Sequence, residues 1–401
     1  MKYRNDRSGT PISQLGYGCM RFSRKGGRID YKKTEKEILY AIEQGINYFD
    51  TAYLYPGSEE CLGKILDENH CREKVYIATK LPQYIIRSGK GIDKTFREEL
   101  SRLRTDYIDY YLMHMFTDHT EWERLQKFGI EDWIRDRKAD GSIRSIGFSY
   151  HGNTEEFLKI LDVYPWDFCQ IQYNYYDEVS QAGRIGLQAA AEKGIPVIIM
   201  EPLRGGKLVD LPKKAVDAIQ KSGTGYTPAE LALRWLWDQP EVACVLSGMN
   251  SMEMLQENIR IASDAEAGQF TDQDRALVDQ VRSIIAEMEK VGCTGCRYCM
   301  PCPKGIDIPG YFHCYNLVGL EGKSRARFEF ARNVGLRSDA VFASACIGCG
   351  KCESHCPQHI PIRKTLKQAD RELRPLPYKA GIGIARLVLG RKRSKDKEGK
   401  A

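Results

Sequence analysis

The sequence predicts an α/β chain: a (β/α)8 barrel of the TIM type followed by a small, partly helical, cysteine-rich domain. Three observations carry this. Short apolar runs alternate with amphipathic stretches from residue 12 to about 250, the signature of strands joined by crossover helices. There are eight such runs, the number and span of a (β/α)8 barrel. After about residue 290 the Leu/Ile periodicity gives way to Cys, Gly and Pro. A doubly wound open sheet competes, but no G-x-G-x-x-G follows the first strand.

The eight strands are expected at Gln14–Cys19, Ile46–Asp50, Val75–Lys80, Ile108–His114, Ile143–Ser149, Phe168–Gln172, Ile195–Met200 and Ala243–Ser247. Several are continuous apolar runs, such as Val-Ile-Ile-Met at 197–200, as strands covered on both faces require. The helices between them carry end signals. Thr34-Glu35-Lys36-Glu37 reads as a capping box and Gly45 as the stop. Thr227-Pro228-Ala229-Glu230 reads as another box with Pro at the first helical position. Asp93 and Ser251 read as further N-caps. A helix from Thr271 to Lys290 closes the barrel region. The expected domains are therefore a barrel over 1–290, a small domain over 291–370 that is helical in part between 304 and 345, and a basic tail over 371–401.

Bulk properties narrow the class. Of the 401 residues 42% are hydrophobic, enough for a sizeable core, and the net charge is only +6. The last eleven residues hold six Lys/Arg against two acids, which reads as a solvated, partly disordered end, with nucleic acid not expected as a partner. No apolar stretch follows the polar start Met1–Arg7, and no run approaches the roughly 18 residues of a membrane span. A cytoplasmic location is expected. The fourteen cysteines then argue against a disulfide framework, because that compartment keeps thiols reduced.

Eight of those cysteines fall in two groups. The second is Cys346-x2-Cys349-x2-Cys352-x3-Cys356-Pro357, the bacterial ferredoxin run, in which three close thiolates grip one cluster and the fourth reaches the other. The first is Cys293-x2-Cys296-x2-Cys299-x2-Cys302-Pro303. The expected pairing puts Cys293, Cys296 and Cys299 with Cys356, and Cys346, Cys349 and Cys352 with Cys302, giving two [4Fe–4S] clusters in a ferredoxin-type domain. One departure stands out: two residues, instead of three, precede Cys302. Either Cys302 still reaches across, or one site is incomplete and Cys314 substitutes. Zinc is the competing ligand, since C-x2-C pairs also build four-cysteine zinc sites. Three thiols at x2 spacing plus a Cys-Pro in each group favour iron–sulfur.

Barrel active sites form at the carboxyl ends of the strands. Asp50 ends the second strand, Lys80 the third, His114 the fourth and Ser149 the fifth, and Gln170 lies in the sixth. Each alone has a plain explanation as a cap, a solvated cation or a core histidine. Together, at one end of one barrel, they converge on a pocket. The chemistry they suggest is interconversion of a carbonyl and an alcohol. Tyr55, in the loop after the second strand, supplies the proton. The Lys80 ammonium favours its phenolate, Asp50 holds Lys80 charged, and neutral His114 hydrogen-bonds the carbonyl oxygen.

With these residues in view, positions 1–290 resemble the aldo-keto reductases. The matches are Leu15-Gly-Tyr-Gly-Cys-Met, Gly45-Ile-Asn-Tyr-Phe-Asp-Thr-Ala, Ser58-Glu59-Glu60-x2-Gly63, Ile77-Ala-Thr-Lys, Asp109-Tyr-Tyr-Leu-Met-His, Ile143-Arg-Ser-Ile-Gly-Phe-Ser and Gln170-Ile-Gln-Tyr-Asn. The cysteine groups resemble the branch of that family with a fused ferredoxin-type domain. The resemblance implies Asp50, Tyr55, Lys80 and His114 as a catalytic tetrad, Ser149 and Gln170 as contacts to a nicotinamide carboxamide, and NADPH or NADH as cofactor. It puts Ser247, Asn250, Gln256, Glu257 and Asn258 at the adenosine end. Arg204-Gly-Gly suits a pyrophosphate loop, with a surface turn as the equal alternative. There are departures. Tyr150 stands where the family often has Asn, Met200-Glu201 where many members have a stacking aromatic, and Gly248 and Met254 where NADP-preferring relatives place Lys and Arg.

Hydride moves two electrons and a [4Fe–4S] centre one, so barrel and clusters need a converter, for which a flavin is the candidate. The clusters then pass electrons from a ferredoxin or flavoprotein partner, sense oxidation and gate activity, or are structural and fasten a lid to the barrel. The competing class is an electron-transfer module whose barrel is a scaffold without turnover on a small-molecule carbonyl or alcohol.

Overall fold

A computed structural model describes residues 1–320, 322–336, 340–383 and 385 of the chain. Residues 384 and 386–401 of the basic tail therefore lie outside the described residues. The chain divides into two compact units: residues 1–210 with 219–278, and residues 211–218 with those from 279 onward.

The first unit is a closed barrel of eight parallel strands in sequence order. They are β1 (Leu15–Gly18), β2 (Tyr48–Asp50), β3 (Tyr76–Leu81), β4 (Ile108–Phe116), β5 (Ile143–Tyr150), β6 (Phe168–Gln172), β7 (Val197–Met200) and β8 (Val242–Ser247). All eight expected strands are present, with ends that shift by a few residues. Nearly every strand residue is buried, because the barrel packs one face inward and is wrapped by helices on the other. Inside, Tyr48, Tyr110, Phe168, Ile198, Cys244 and Leu246 form an apolar plug. Tyr110 packs against Tyr48 and Phe168 at centroid separations of 5.0 and 5.2 Å. A short antiparallel hairpin, Tyr3–Asn5 with Pro11–Ser13, adds Ile12 to this plug. Gly147 is required where it stands. A Cβ there would meet the Phe168 carbonyl oxygen at 2.5 Å and its ring at 2.7 Å, so β5 and β6 close together only around a bare α-carbon.

The helix ends follow local chemistry, with two corrections. Thr227 and Ser251 cap as expected, accepting from the N–H groups of Glu230 and Met254. Gly45 adopts φ 90°, and the Gly45 and Ile46 N–H groups bond back to Ile42 and Ala41, the left-handed stop that glycine tolerates best. The first helix, however, is Tyr31–Glu43, capped by Asp30, and Thr34 lies one turn inside it. A first turn need not be apolar, so the periodic pattern begins later than the helix. Likewise Asp93 is interior to Gly89–Leu103, which Ser88 caps. The glycines at 89 and 91 disguise that first turn, and Asp93 instead holds Arg97 at 2.6 Å.

The second unit is mostly helical, with Ile308–Leu320, Lys323–Phe330 and Ile362–Leu373 around a core that includes Tyr311, Phe330, Leu366 and Leu373. The Tyr311 hydroxyl donates to Asp370 at 2.9 Å and accepts from the Ala343 N–H at 3.1 Å. Arg374 pairs with the same carboxylate at 2.7 Å. This satisfied buried network fixes the helix Ile362–Leu373 against the loop that leads into the second cysteine group. Among the described residues no helix is long and apolar enough to cross a membrane, and no disulfide joins any cysteines.

Candidate functional site

Strand period and register assemble the barrel site. Asp50 closes β2, Lys80 is the penultimate residue of β3, His114 lies near the end of β4, and Ser149 faces Gln170 in the parallel register of β5 and β6. All five are buried. Lys80 Nζ donates to Asp50 Oδ1 and Oδ2, both at 2.7 Å, and to the Thr51 carbonyl at 2.6 Å. Burial raises the Asp50 carboxyl above its ordinary range, opposed by Lys80 and by Gln170, whose Nε2 donates to Asp50 Oδ2 at 3.1 Å. The half-buried ring of Tyr55 lies over this pair, its centroid 5.3 Å from Lys80 Nζ. The same ring meets His114 edge-on at 6.1 Å and 83°.

Burial, then the Lys80 charge, then His151, hold the His114 imidazole well below its ordinary pKa. It is therefore neutral near pH 7. Its Nδ1 is buried without a hydrogen-bond partner, as is Gln170 Oε1. Polar atoms in that condition cost free energy unless something pairs with them. Ser149 Oγ accepts from the Met115 N–H at 2.8 Å. Met115 has φ 60°, and the β4–β5 register shifts between Met113 and Phe116, a bulge of the kind that re-aims side chains beside active sites.

The remaining expected contacts are placed differently. Arg204 is no surface turn. It is buried, pairs through Nε with Asp177 at 3.0 Å, and lies over the Tyr176 ring at 4.3 Å. Asp177 also accepts from Asn174 at 3.1 Å and Gln172 at 3.3 Å. Ser247 and Asn258 are buried and bond each other at 3.0 Å. The Asn250 carbonyl accepts from Lys33 Nζ at 2.8 Å and Ser23 Oγ at 2.9 Å. Gln256 and Glu257 lie on the helix Met252–Asp264, and Glu257 accepts from the Thr227 hydroxyl at 2.8 Å. Gly248 lies under Arg21, whose Cδ would stand 3.1 Å from a Cβ there.

Several of these neighbours escape a reading of sequence alone. Arg21 and Lys33 bring cations to the loop after β8, although that loop has none of its own. They arrive from distant chain segments, and no local pattern marks them. His151 could have been found from strand period. It lies two residues beyond Ser149, on the same face, is buried, and has its pKa lowered to about 4 mainly by burial. Tyr150 points the other way, donating to the Asn153 carbonyl at 2.5 Å. Glu201, at the end of β7, has φ 57° and a buried Oε2 without a partner. Burial raises its carboxyl, with Arg21, Arg204 and Lys207 opposing.

In the second unit the eight clustered cysteines ring two hollows. Cys302, Cys346, Cys349 and Cys352 line one. Cys293, Cys296, Cys299 and Cys356 line the other. Ile308 and Ile362 form the wall common to both. The two-residue spacing before Cys302 does carry it to the second group, while Cys314 is buried in the apolar core. Among the described residues no three Cys, His, Asp or Glu side chains converge at the spacing of a single metal ion. Four thiols spread around an apolar hollow are the donor set of a cubane.

The comparisons agree with this geometry. The family model described as the Aldo/keto reductase family matches residues 14–283, and that of a 4Fe-4S dicluster domain matches residues 292–360. An aldo-keto reductase of Mycobacterium sp. is 30% identical over 236 residues, covering 58% of this chain and 75% of its own. One from Schizosaccharomyces pombe, designated for NADP(+), is 24% identical over 287 residues, covering 62% and 83%. The solved holo form of an aldo-keto reductase from Bacillus halodurans superposes with a TM-score of 0.57 at 26% identity, covering 70% of this chain and 96% of its own.

Proposed function

This chain belongs to the aldo-keto reductase family, and from that premise we propose that it interconverts a carbonyl and an alcohol with NADPH or NADH while its second unit carries two [4Fe–4S] clusters. The observation that carries the reading is the buried Asp50–Lys80 pair lying beneath the Tyr55 ring, with neutral His114 beside it. In this reading Asp50, Tyr55, Lys80 and His114 form the reacting centre of residues 1–290, and residues 291–370 form the cluster domain.

A nicotinamide held by Ser149 and Gln170 would supply the hydride for the carbonyl carbon. Tyr55 gives its phenolic proton to the carbonyl oxygen, so hydride and proton together turn C=O into CH–OH. The Lys80 ammonium stabilises the phenolate left behind, and Asp50, with the Thr51 carbonyl, holds that ammonium in place. Neutral His114 donates a hydrogen bond to the carbonyl oxygen and polarises it. Gln170 Oε1, buried without a partner, accepts from the carboxamide, with Ser149 at its side. The Asp177–Arg204 pair orients the loop after β7 for the pyrophosphate. Arg21 and Lys33 serve the adenosine end with Ser247, Asn250 and Asn258, which answers the lack of cations at Gly248 and Met254. A relative designated for NADP(+) supports the same cofactor.

Each hollow offers one cluster four thiolates, three from its own group and one from the other. A reducing compartment, the cytoplasm, suits so many thiols. The experiment is anaerobic purification with iron and sulfide analysis, then NAD(P)H-dependent reduction of test aldehydes by wild type and Tyr55→Phe. A loss of about 10²-fold or more in kcat in the variant supports the reading; unchanged turnover rejects it.

A further inference from the structure

The two cysteine hollows differ in what surrounds them. At the hollow of Cys302, Cys346, Cys349 and Cys352, Cys349 is exposed, whereas the four cysteines of the other hollow are all half-buried. Beside Cys349, Ile347 is 61% exposed and lines the same hollow. Ile347 thus presents an apolar side chain to solvent at the rim of this hollow.

Around that tip the charge is one-sided. Lys304 and Arg363 line the hollow itself. Lys351 follows directly on the cysteine loop, and Lys364, Lys367 and Arg371 continue along the helix Ile362–Leu373. All six cations are exposed. At 1.5 Å per residue the helical stripe from Arg363 to Arg371 is about 12 Å long. The acids beside these cations are already engaged: Glu353 by Arg363 at 2.7 Å, Asp370 by Arg374 and Tyr311, and Glu372 by Tyr315. Lys304, Lys351, Lys364, Lys367 and Arg371 have no ion-pair partner among the described residues. Among the described residues the one cation that lines the other hollow is Arg297, 3.9 Å from Asp307. A cationic rim around an apolar, solvent-facing tip is the complement of an acidic protein surface.

We propose that this face is the docking surface for an acidic one-electron carrier protein, and that the cluster of Cys302, Cys346, Cys349 and Cys352 is where its electrons enter. The inference rests on the cluster reading above. The step is one electron from the reduced carrier to a [4Fe–4S]²⁺ centre, leaving the carrier oxidised and the centre [4Fe–4S]⁺. No bond forms and no proton moves. The cluster of Cys293, Cys296, Cys299 and Cys356 is then second in line, across the shared wall of Ile308 and Ile362.

The test uses the anaerobic full-length holoprotein and the triple variant Lys351→Glu/Lys364→Glu/Lys367→Glu, which spares every cluster ligand. Cluster bleaching is followed by stopped flow with two donors, reduced plant-type ferredoxin (an acidic protein) and reduced methyl viologen (a small cation). At low salt the variant should react with ferredoxin at least about 10-fold more slowly than wild type, and wild type should slow comparably near 0.5 M salt. The viologen rate should not fall. A ferredoxin rate indifferent to the charge reversal overturns the inference, as does an equal fall with viologen. So does charge-dependent binding to phosphatidylserine vesicles with the ferredoxin rate unchanged, which would make the face a membrane contact. If viologen bleaches nothing, the cluster reading falls and takes this inference with it. Bleaching by viologen beside a charge-blind ferredoxin rate defeats the docking surface alone.

Discussion

Lys80 Nζ stands 2.7 Å from both carboxylate oxygens of Asp50, and both side chains are buried. With the Thr51 carbonyl at 2.6 Å, all three ammonium protons have acceptors. Such a pair is costly to break from one side, because the survivor is left charged in a medium that solvates it poorly.

Lys80→Met is therefore expected to destabilise the first unit by about 3–5 kcal/mol and to abolish carbonyl turnover. The double variant Lys80→Met/Asp50→Leu should recover most of the stability and none of the activity. Urea unfolding of the three proteins beside aldehyde reduction checks both. A single variant that unfolds like wild type would show that the pair is not a unit.

In the proposed reading Gln170 joins the proposed tetrad to the cofactor. Its Nε2 is on Asp50 and its Oε1 is buried without a partner. Gln170→Leu removes both roles, and the lost acceptor should raise the dissociation constant for NADPH about 10-fold, the worth of one buried hydrogen bond. Fluorescence titration of the nucleotide measures it. Affinity equal to wild type would remove Gln170 from the cofactor site.

The crossed thiols make a stoichiometric prediction. Cys356 shares a hollow with the first group and Cys302 with the second. Cys356→Ser and Cys302→Ser should each lower iron from about eight to about four atoms per chain, the double variant to near zero. A single variant that keeps about eight would show the hollow to be held by three thiols.

Acid stability should follow His151. Its folded pKa is about 4, depressed by burial from an ordinary value of about 6.5. Above pH 6.5 neither folded nor unfolded chain protonates it. As pH falls from 6.5 towards 4 the unfolded chain takes a proton that the folded one refuses, so stability is lost across that window. The loss is about 3 kcal/mol at most, taking 1.36 kcal/mol per pH unit. His114, also depressed, adds in the same direction. His151→Gln should flatten the dependence of the urea midpoint on pH between 6.5 and 4. An unchanged slope would assign the acid sensitivity elsewhere.

By itself the sequence determined the barrel, the count and order of its strands, and the two thiol groups. Each of these is written locally: a strand buried on both faces is a continuous apolar run, and a cluster loop is a fixed cysteine spacing. The likeness to a known family followed from the same local motifs. Helix starts were less legible, since polar first turns at Tyr31 and Gly89 carry no periodic signal. What only the tertiary structure decided are relations between distant segments: Arg21 laid over Gly248, Arg204 turned onto Asp177, Cys302 brought to Cys346 despite its short spacing, and Lys304 and Arg363 brought to the hollow of Cys349. Those depend on how strands and helices pack, and packing places side chains by through-space distance, which a linear order of residues does not record.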